Sequence, residues 1–354
     1  MWMQVADSTP GSDRQIQNPN AEPRFASPES RVPNPVSRAR MTSGQLRDSH
    51  CLEFLITNQN SDGGWGYHPA SLSAVEATAW GLAALISSRR APPPAEVCAR
   101  ARDWLLQAQQ TDGSWPPFPG QPQGCWVTSI ASQALHLHGG AQNAVQRGLH
   151  WLLNAWPAEG TVWWRLRQTL FPSRVARQDS SLRGWNWTPG TASWVEPTAH
   201  ALLFLRSLPM EILPPQAAKR RQLAECMLFD RMCPGGGWNS GNPLVYGVAG
   251  VPRIGPTAWA LLALRNHSER PEIQTSLGWL EGTYGAIHGA ASLALAHRCL
   301  TAYGRRVSPL APALGELYSP NHFFDSMLTN AWIVLALNEE GSAVVPTAGE
   351  AANR

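Results

Sequence analysis

Charge is scarce in this chain. Asp, Glu, Lys and Arg make up 15% of the 354 residues, and the net charge is only +3. A field that weak excludes broad electrostatic capture of nucleic acid. The six cysteines (51, 98, 125, 226, 233 and 299) include no Cys-x-x-Cys pair. They read as buried thiols of a reducing compartment rather than as disulfides or metal ligands. No stretch approaches an uninterrupted membrane span, and no basic patch followed by an apolar run opens the chain. The expectation is a cytoplasmic protein with no metal and no cofactor, surface contact with a membrane staying open. What the chain has in excess is 17 Trp, 30 Gly and 30 Pro. Each indole is a large apolar body with one N–H to satisfy, so that many must pack.

Residues 1–41 carry Pro10, Pro19, Pro23, Pro28, Pro33 and Pro35 among Asn, Ser, Gln and Arg, too little to fill a core. They read as a disordered tail, as does 341–354. Between them, residues 42–340 repeat. Thr78, Thr128, Thr198, Thr257 and Asn330 each begin a small, apolar run that closes on a leucine seven residues later: Leu85, Leu135, Leu205, Leu264 and Leu337. Ile287 to Leu300 has the same texture. Six helices apolar on most faces are helices surrounded by protein. More amphipathic helices precede them, over roughly 43–59, 95–110, 142–156, 213–231, 271–283 and 306–317. Six buried helices lining a ring and six amphipathic ones covering it make an all-α (α/α)6 toroid in a single domain. A solenoid that does not close is the alternative.

The starts of the buried helices stand out. Trp194-Val195-Glu196-Pro197-Thr198-Ala199-His200 reads as a polar loop running into a helix, with Pro197 suited to its first position. Glu196 then lies where the positive end of the helix dipole favours a carboxylate. Glu76-Ala77-Thr78-Ala79-Trp80 and Gly255-Pro256-Thr257-Ala258-Trp259 are further copies. Ahead of them runs a second signature: Arg100-Ala101-Arg102-Asp103-Trp104-Leu105, Gln109, then Gly113-Ser114-Trp115. An earlier copy has Leu55, Gln59 and Gly63-Gly64-Trp65, with later ones at Gly184-Trp185 and Gly237-Trp238. A Gln amide bonding the turn and an indole stacked over it would clip each outer helix to its inner partner. Asp62 and Asp112 read as turn residues.

This Arg-Ala-x-x-Trp-Leu…Gln…Gly-x-Trp unit resembles the QW repeat of squalene–hopene cyclases. The Glu-Pro-Thr-Ala and Gly-Pro-Thr-Ala segments resemble inner helices of the wider group that includes protein prenyltransferase β-subunits. The resemblance covers roughly 42–340 and implies an α/α toroid around an isoprenoid-sized apolar cavity. Members of the cyclase group protonate an alkene or epoxide from an Asp-x-Asp-Asp-Thr-Ala motif. Aligned on Thr198-Ala199, Glu196 takes the proton-donating position, while Trp194 and Pro197 replace the flanking acids. His200, one turn on, could hold Glu196 in place. The competing reading is that Glu196 caps its helix, as Glu76 would. A zinc-dependent prenyltransferase needs an Asp, a Cys and a His; the counterparts Gly255, Thr257 and His288 supply only the last.

Residues 161–187 form an insertion, since Thr128 to Thr198 spans 70 residues where Thr78 to Thr128 spans 50. It carries Trp163-Trp164-Arg165, Phe171, Arg174, Arg177, Arg183 and Trp185-Asn186-Trp187. It reads either as a lid or membrane-facing surface, or as a solvated excursion. Tyr246, in the Gly-rich 235–255 loop, would border the same opening. The expected partner is an isoprenoid or other apolar small molecule. Glu196 and His200 are the candidate catalytic pair, with Trp194, Trp259, Trp126, Tyr246, His288 and Trp187 around the substrate. A non-catalytic isoprenoid-binding toroid and a glycan-processing (α/α)6 enzyme are the alternatives.

Overall fold

A reciprocal pair of hydrogen bonds recurs through the chain and sets where four of the inner helices begin. The backbone N–H of Trp65, Trp115, Trp185 and Trp238 donates to the hydroxyl of Thr78, Thr128, Thr198 and Thr257, at 2.9, 3.0, 2.9 and 2.9 Å. Each hydroxyl donates back to the same tryptophan's carbonyl, at 3.3, 3.4, 3.3 and 3.1 Å. The indole N–H then reaches the preceding outer helix or its counterpart, at the carbonyls of Leu55, Leu105, Leu152 and Leu228. A buried amide, hydroxyl and indole N–H are thus all satisfied by one motif, as burial demands.

The computed structural model describes residues 50–88, 94–170, 178–318 and 322–338. The expected tails at 1–41 and 341–354 lie outside these, as do Phe171, Arg174 and Arg177. Among the described residues, the inner helices are α2 (Val75–Ser87), α4 (Val127–His138), α7 (Val195–Ser207), α9 (Ile254–Ala263), α11 (Ala290–Ala302) and α13 (Met327–Asn338). Each packs on two others in that order, and α13 packs back on α2, so the cycle closes. The same closure is written at the helix starts. Val75 N–H donates to Pro117 O, Trp126 N–H to Trp187 O and Val195 N–H to Ser240 O, each the second residue after the next repeat's clip tryptophan. Met327 N–H returns to Tyr67 O of the first repeat at 3.0 Å. These bonds satisfy donors that a helix start leaves orphaned. The open solenoid is excluded, and the all-α toroid stands.

Outer helices α1 (Cys51–Thr57), α3 (Ala95–Ala108), α5 (Gln142–Asn154), α8 (Gln216–Asp230), α10 (Pro271–Tyr284) and α12 (Leu310–Tyr318) alternate with the inner set. Each packs on the inner helix that follows or precedes it. The Gln clip bonds both the turn and the next outer helix: Gln59 Nε2 donates to Gly63 O and Val97 O, and Gln109 Nε2 to Gly113 O and Ala144 O. Asp62 and Asp112 are turn residues, accepting from Gly64 N–H and Ser114 N–H. Gly113, at φ +92°, passes so close to α5 that a Cβ would lie 2.5 Å from Arg147 O. In the third repeat Trp156 stands where Gln109 stood. The Arg220 guanidinium lies 4.0 Å from its ring centre and 4.2 Å from that of Trp185, donating to Ala155 O.

Several boundaries differ from expectation. Both α7 and α9 begin two residues before their proline, so Pro197 and Pro256 are third in the helix, where the N–H is still unneeded. The insertion contains helix α6 (Val162–Leu170), and the 235–255 loop holds a hairpin of β1 (Leu244–Val245) with β2 (Val248–Ala249). Five cysteines are buried thiols, but Cys226 is exposed on α8. No described helix is long and apolar enough to cross a membrane.

Replacing Thr198 with Val would strip the Trp185 N–H of its acceptor inside the core. The expected cost is about 1–3 kcal/mol, read as a lowered midpoint in denaturant unfolding. Thr275→Val, whose exposed hydroxyl bonds only its own helix, should leave the midpoint nearly unchanged.

Candidate active site at the inner-helix mouths

With the threonines aligned, the residue two before each lies at the helix mouth and the residue two after lies one turn deeper. The mouth residues are Glu76, Trp126, Glu196, Gly255 and, before Asn330, Leu328; all are half-buried. Their deeper partners on α2, α7, α9 and α13 are Trp80, His200, Trp259 and Trp332, about 6 Å further down the helix. Glu76, Trp126 and Glu196 sit on three successive helices of the ring, α2, α4 and α7.

The deeper layer is a floor. Trp80 and Trp259 come from helices facing each other across the ring, and their indoles stack with centroids 5.4 Å apart and planes 27° apart. Trp332 meets both edge-on, at 6.2 and 6.0 Å. His200 packs 4.5 Å from Trp259, 5.5 Å from Trp126 and 5.7 Å from Trp80. The expectation of a hollow centre is corrected at this depth: small residues let the inner helices approach, and the indoles fill what remains. At the mouth, Trp187 stands edge-on to Trp126 at 4.7 Å and Tyr67 edge-on to Phe118 at 6.2 Å.

The floor carries buried polar atoms with no partner among the described residues. Trp80 Nε1, Trp332 Nε1 and His200 Nδ1 have no hydrogen-bond partner, and Trp80 and His200 are 5% and 4% exposed. Burial, with the positive charge of Arg298 adding to it, pushes the His200 pKa down to about 3. The imidazole is therefore neutral. It also does not brace Glu196, as had been expected; its ring is committed to the indoles.

Neither mouth carboxylate caps its helix. No side-chain cap bond is made at the start of α2 or α7, and at α7 Ser240 O takes the orphaned Val195 N–H instead. Both glutamates lie in the first turn of their helix, where the helix dipole favours a carboxylate, without a side-chain bond to the helix backbone. Burial raises the pKa of Glu196; Arg253 works against this and the charge of Glu76 adds to it. Glu76 is raised by burial, offset by the Tyr67 hydroxyl, which donates to Glu76 Oε2 at 2.8 Å. Burial, with Glu76 contributing, pushes the Cys125 thiol up to about 11. One electrostatic neighbourhood thus joins Glu76, Tyr67, Cys125, Glu196 and Arg253.

The other expected residues divide. Trp126, Trp187, Trp259 and His200 come together, and Trp194, half-buried, pairs its N–H with Trp185 O beside Glu196. Tyr246 is 76% exposed at the hairpin turn, with φ +50°, and His288 is exposed in the loop before α11. Neither joins the aromatic cluster. Among the described residues no group of His, Cys, Asp and Glu is arranged to hold a metal ion. Sequence reasoning missed Trp80, Trp332 and Tyr67. The signal for the first two was present: an aromatic ring two residues after the repeated Thr or Asn.

No family model matches the chain. In sequence it is similar to the drimenyl diphosphate synthase of Streptantibioticus cattleyicolor, 38% identical over 90 residues, which are 25% of this chain and 16% of that one. It is 31% identical over 98 residues to the terpentedienyl-diphosphate synthase of Kitasatospora griseola, 27% of this chain and 19% of that one. The chain therefore matches less than a fifth of the length of either relative. In structure it is similar to the type II terpene cyclase MstE of Scytonema, solved as a variant with geranylgeranyl dihydroxybenzoate. The TM-score is 0.56 at 15% identity, covering 84% of this chain and 96% of that one. This toroid has the fold of type II terpene cyclases. The toroid is also similar, at TM-score 0.51 and 10% identity, to Rex8A of Paenibacillus barcinonensis, solved with xylose; 84% of this chain and 94% of that one are covered.

The floor predicts a pH dependence. His200 has a folded pKa of about 3 against an ordinary 6.5, so the unfolded chain binds the extra proton between those values. Stability from the neutral imidazole is complete above pH 6.5 and drains as the pH falls through the window, by up to about 1.4 kcal/mol per pH unit. Glu76 and Glu196, with raised pKa values, contribute in the opposite sense. The difference between wild type and His200→Leu in urea unfolding from pH 7 to pH 4 isolates the histidine, and should shrink steadily.

Proposed function

We propose that the toroid takes an isoprenoid into the mouth basin and protonates it from Glu196, starting a cyclisation or isomerisation. The observation that carries this reading is a half-buried carboxyl, raised in pKa and spent on no cap bond, one turn above an aromatic floor. Indole faces stabilise a positive charge through their quadrupole, and a neutral His200 adds no opposing charge. A carboxyl raised by burial is a ready proton carrier but a weak acid. It therefore suits a group more basic than an isolated alkene, such as an epoxide oxygen or an electron-rich double bond. The fold shared with a cyclase solved on a geranylgeranyl-bearing substrate, and the short similarity to two diphosphate synthases, support an isoprenoid guest.

Two further features bear on this reading. Val162, Trp163, Leu166 and Leu170 form an exposed apolar face on α6, which supports contact with a lipid surface through the 161–187 insertion. The pairing of two carboxyls, Glu76 and Glu196, at one opening favours a second reading, hydrolysis of a glycan by an acid and a base. The test is incubation of the protein with polyprenyl epoxides, squalene, polyprenols, polyprenyl diphosphates and xylo-oligosaccharides. Conversion of an isoprenoid, lost by at least about a hundredfold in Glu196→Gln, is the expected outcome. Tryptophan quenching by the lipid without turnover would leave a binding protein, and cleavage of the oligosaccharide would replace the isoprenoid reading altogether.

A further inference from the structure

A reaction that starts by adding a proton and ends in an alkene must also lose one, and Glu196 has just become a carboxylate at the point where the chain began. The mouth offers a second group for that loss. Glu76 occupies on α2 the position Glu196 occupies on α7, two residues before the repeated threonine. The α4 mouth between them carries Trp126, an indole in the place of a third carboxyl. Beneath the two acids, Trp80 and His200 touch with ring centroids 5.7 Å apart, and each has a buried nitrogen without a partner.

The two acids are held differently. Glu196 has no hydrogen bond to any described group and faces the charge of Arg253. Glu76 accepts the Tyr67 hydroxyl on Oε2, which favours its ionised form and leaves Oε1 uncommitted. Tyr67 is itself pinned, because its carbonyl accepts the Met327 N–H that closes the ring. Cys125, next to Glu76, remains a neutral thiol and so neither competes for the proton nor repels it. Burial raises both acids and Arg253 works against it at Glu196, but among the described groups only Glu76 has a hydroxyl donor anchoring its carboxylate, the difference that marks it as the acceptor of the pair.

Resting on the isoprenoid reading, we propose that Glu76 is the catalytic base that ends the reaction, with Tyr67 as its positioning residue. Glu196 gives its proton to the substrate, and the O–H bond breaks as a bond to carbon, or to an epoxide oxygen, forms. The cation so made migrates or closes rings over Trp126. A C–H bond beside the final cationic carbon then breaks, its electron pair forms the new double bond, and the proton passes to Glu76 Oε1. Both carboxyls are half-buried, so solvent takes the proton from Glu76 and returns one to Glu196. The product is an isomer of the substrate, with no oxidant or co-reactant.

The experiment separates this assignment from the reading it rests on. Glu196→Gln should stop substrate consumption. Glu76→Gln should instead change what is made: per substrate consumed, the wild-type alkene falls by at least about tenfold, replaced by alcohols from water capture or by double-bond isomers. Tyr67→Phe should shift the same ratio in the same direction by less. An unchanged product ratio in Glu76→Gln overturns the proposal while leaving Glu196 as the acid. If the wild-type protein converts no isoprenoid, the function falls, and the division of protons is read in the free protein by infrared difference spectra near pH 7. A protonated carboxyl band lost in Glu196→Gln and an ionised one lost in Glu76→Gln support the assignment. A protonated band lost in Glu76→Gln overturns it.

Discussion

The bond between a threonine hydroxyl and the peptide of a tryptophan thirteen or nineteen residues earlier governs most of this structure. It anchors the loop to the helix at a fixed residue, so the four inner helices α2, α4, α7 and α9 enter the ring in the same register. Two residues before the threonine is always a mouth; two after is always one turn deeper. The chemistry of each layer is then set by which side chains occupy those two positions. Gly184 shows how tightly the motif is built, since a Cβ there would lie 2.1 Å from the Thr198 hydroxyl.

Burial acts on the two layers in opposite senses. At the mouth it makes carboxyls harder to ionise, raising Glu76 and Glu196. On the floor it makes an imidazole harder to charge, lowering His200. Both shifts remove net charge from the centre, as a low-dielectric site requires. The result is a pair of carboxyls at the rim with π faces beneath them. That combination tolerates a transient positive charge on a guest while holding none of its own.

The third repeat departs from the pattern, and the departure lies behind the loop that presents Glu196. There an indole replaces the clip glutamine, and Arg220 supplies from α8 the donors that Gln59 and Gln109 supply elsewhere. Glu159, 3% exposed, accepts the Ser193 N–H, and Ser193 in turn accepts from Gly184 N–H. The loop that carries Trp194 to Glu196 is thus gripped from outside the ring by polar groups the other repeats lack. The insertion supplies Trp187 to the mouth at the same place.

The periodic part of this fold was legible in the order of residues. The spacing of Thr78, Thr128, Thr198 and Thr257, and of the tryptophans ahead of them, already defined helices, their depth and their repetition, because a helix turns the chain through a fixed angle per residue. It also put Glu196 at a mouth, where Glu76 had to be as well. Spacing along one helix says nothing of which faces meet across a ring. Tertiary closure alone placed Trp80 against Trp259, drew His200 into that stack, filled at that depth the centre that the family resemblance implied was hollow, and left Tyr246 and His288 in solvent. Those outcomes depend on contacts between helices remote in sequence, where packing decides and local periodicity is silent.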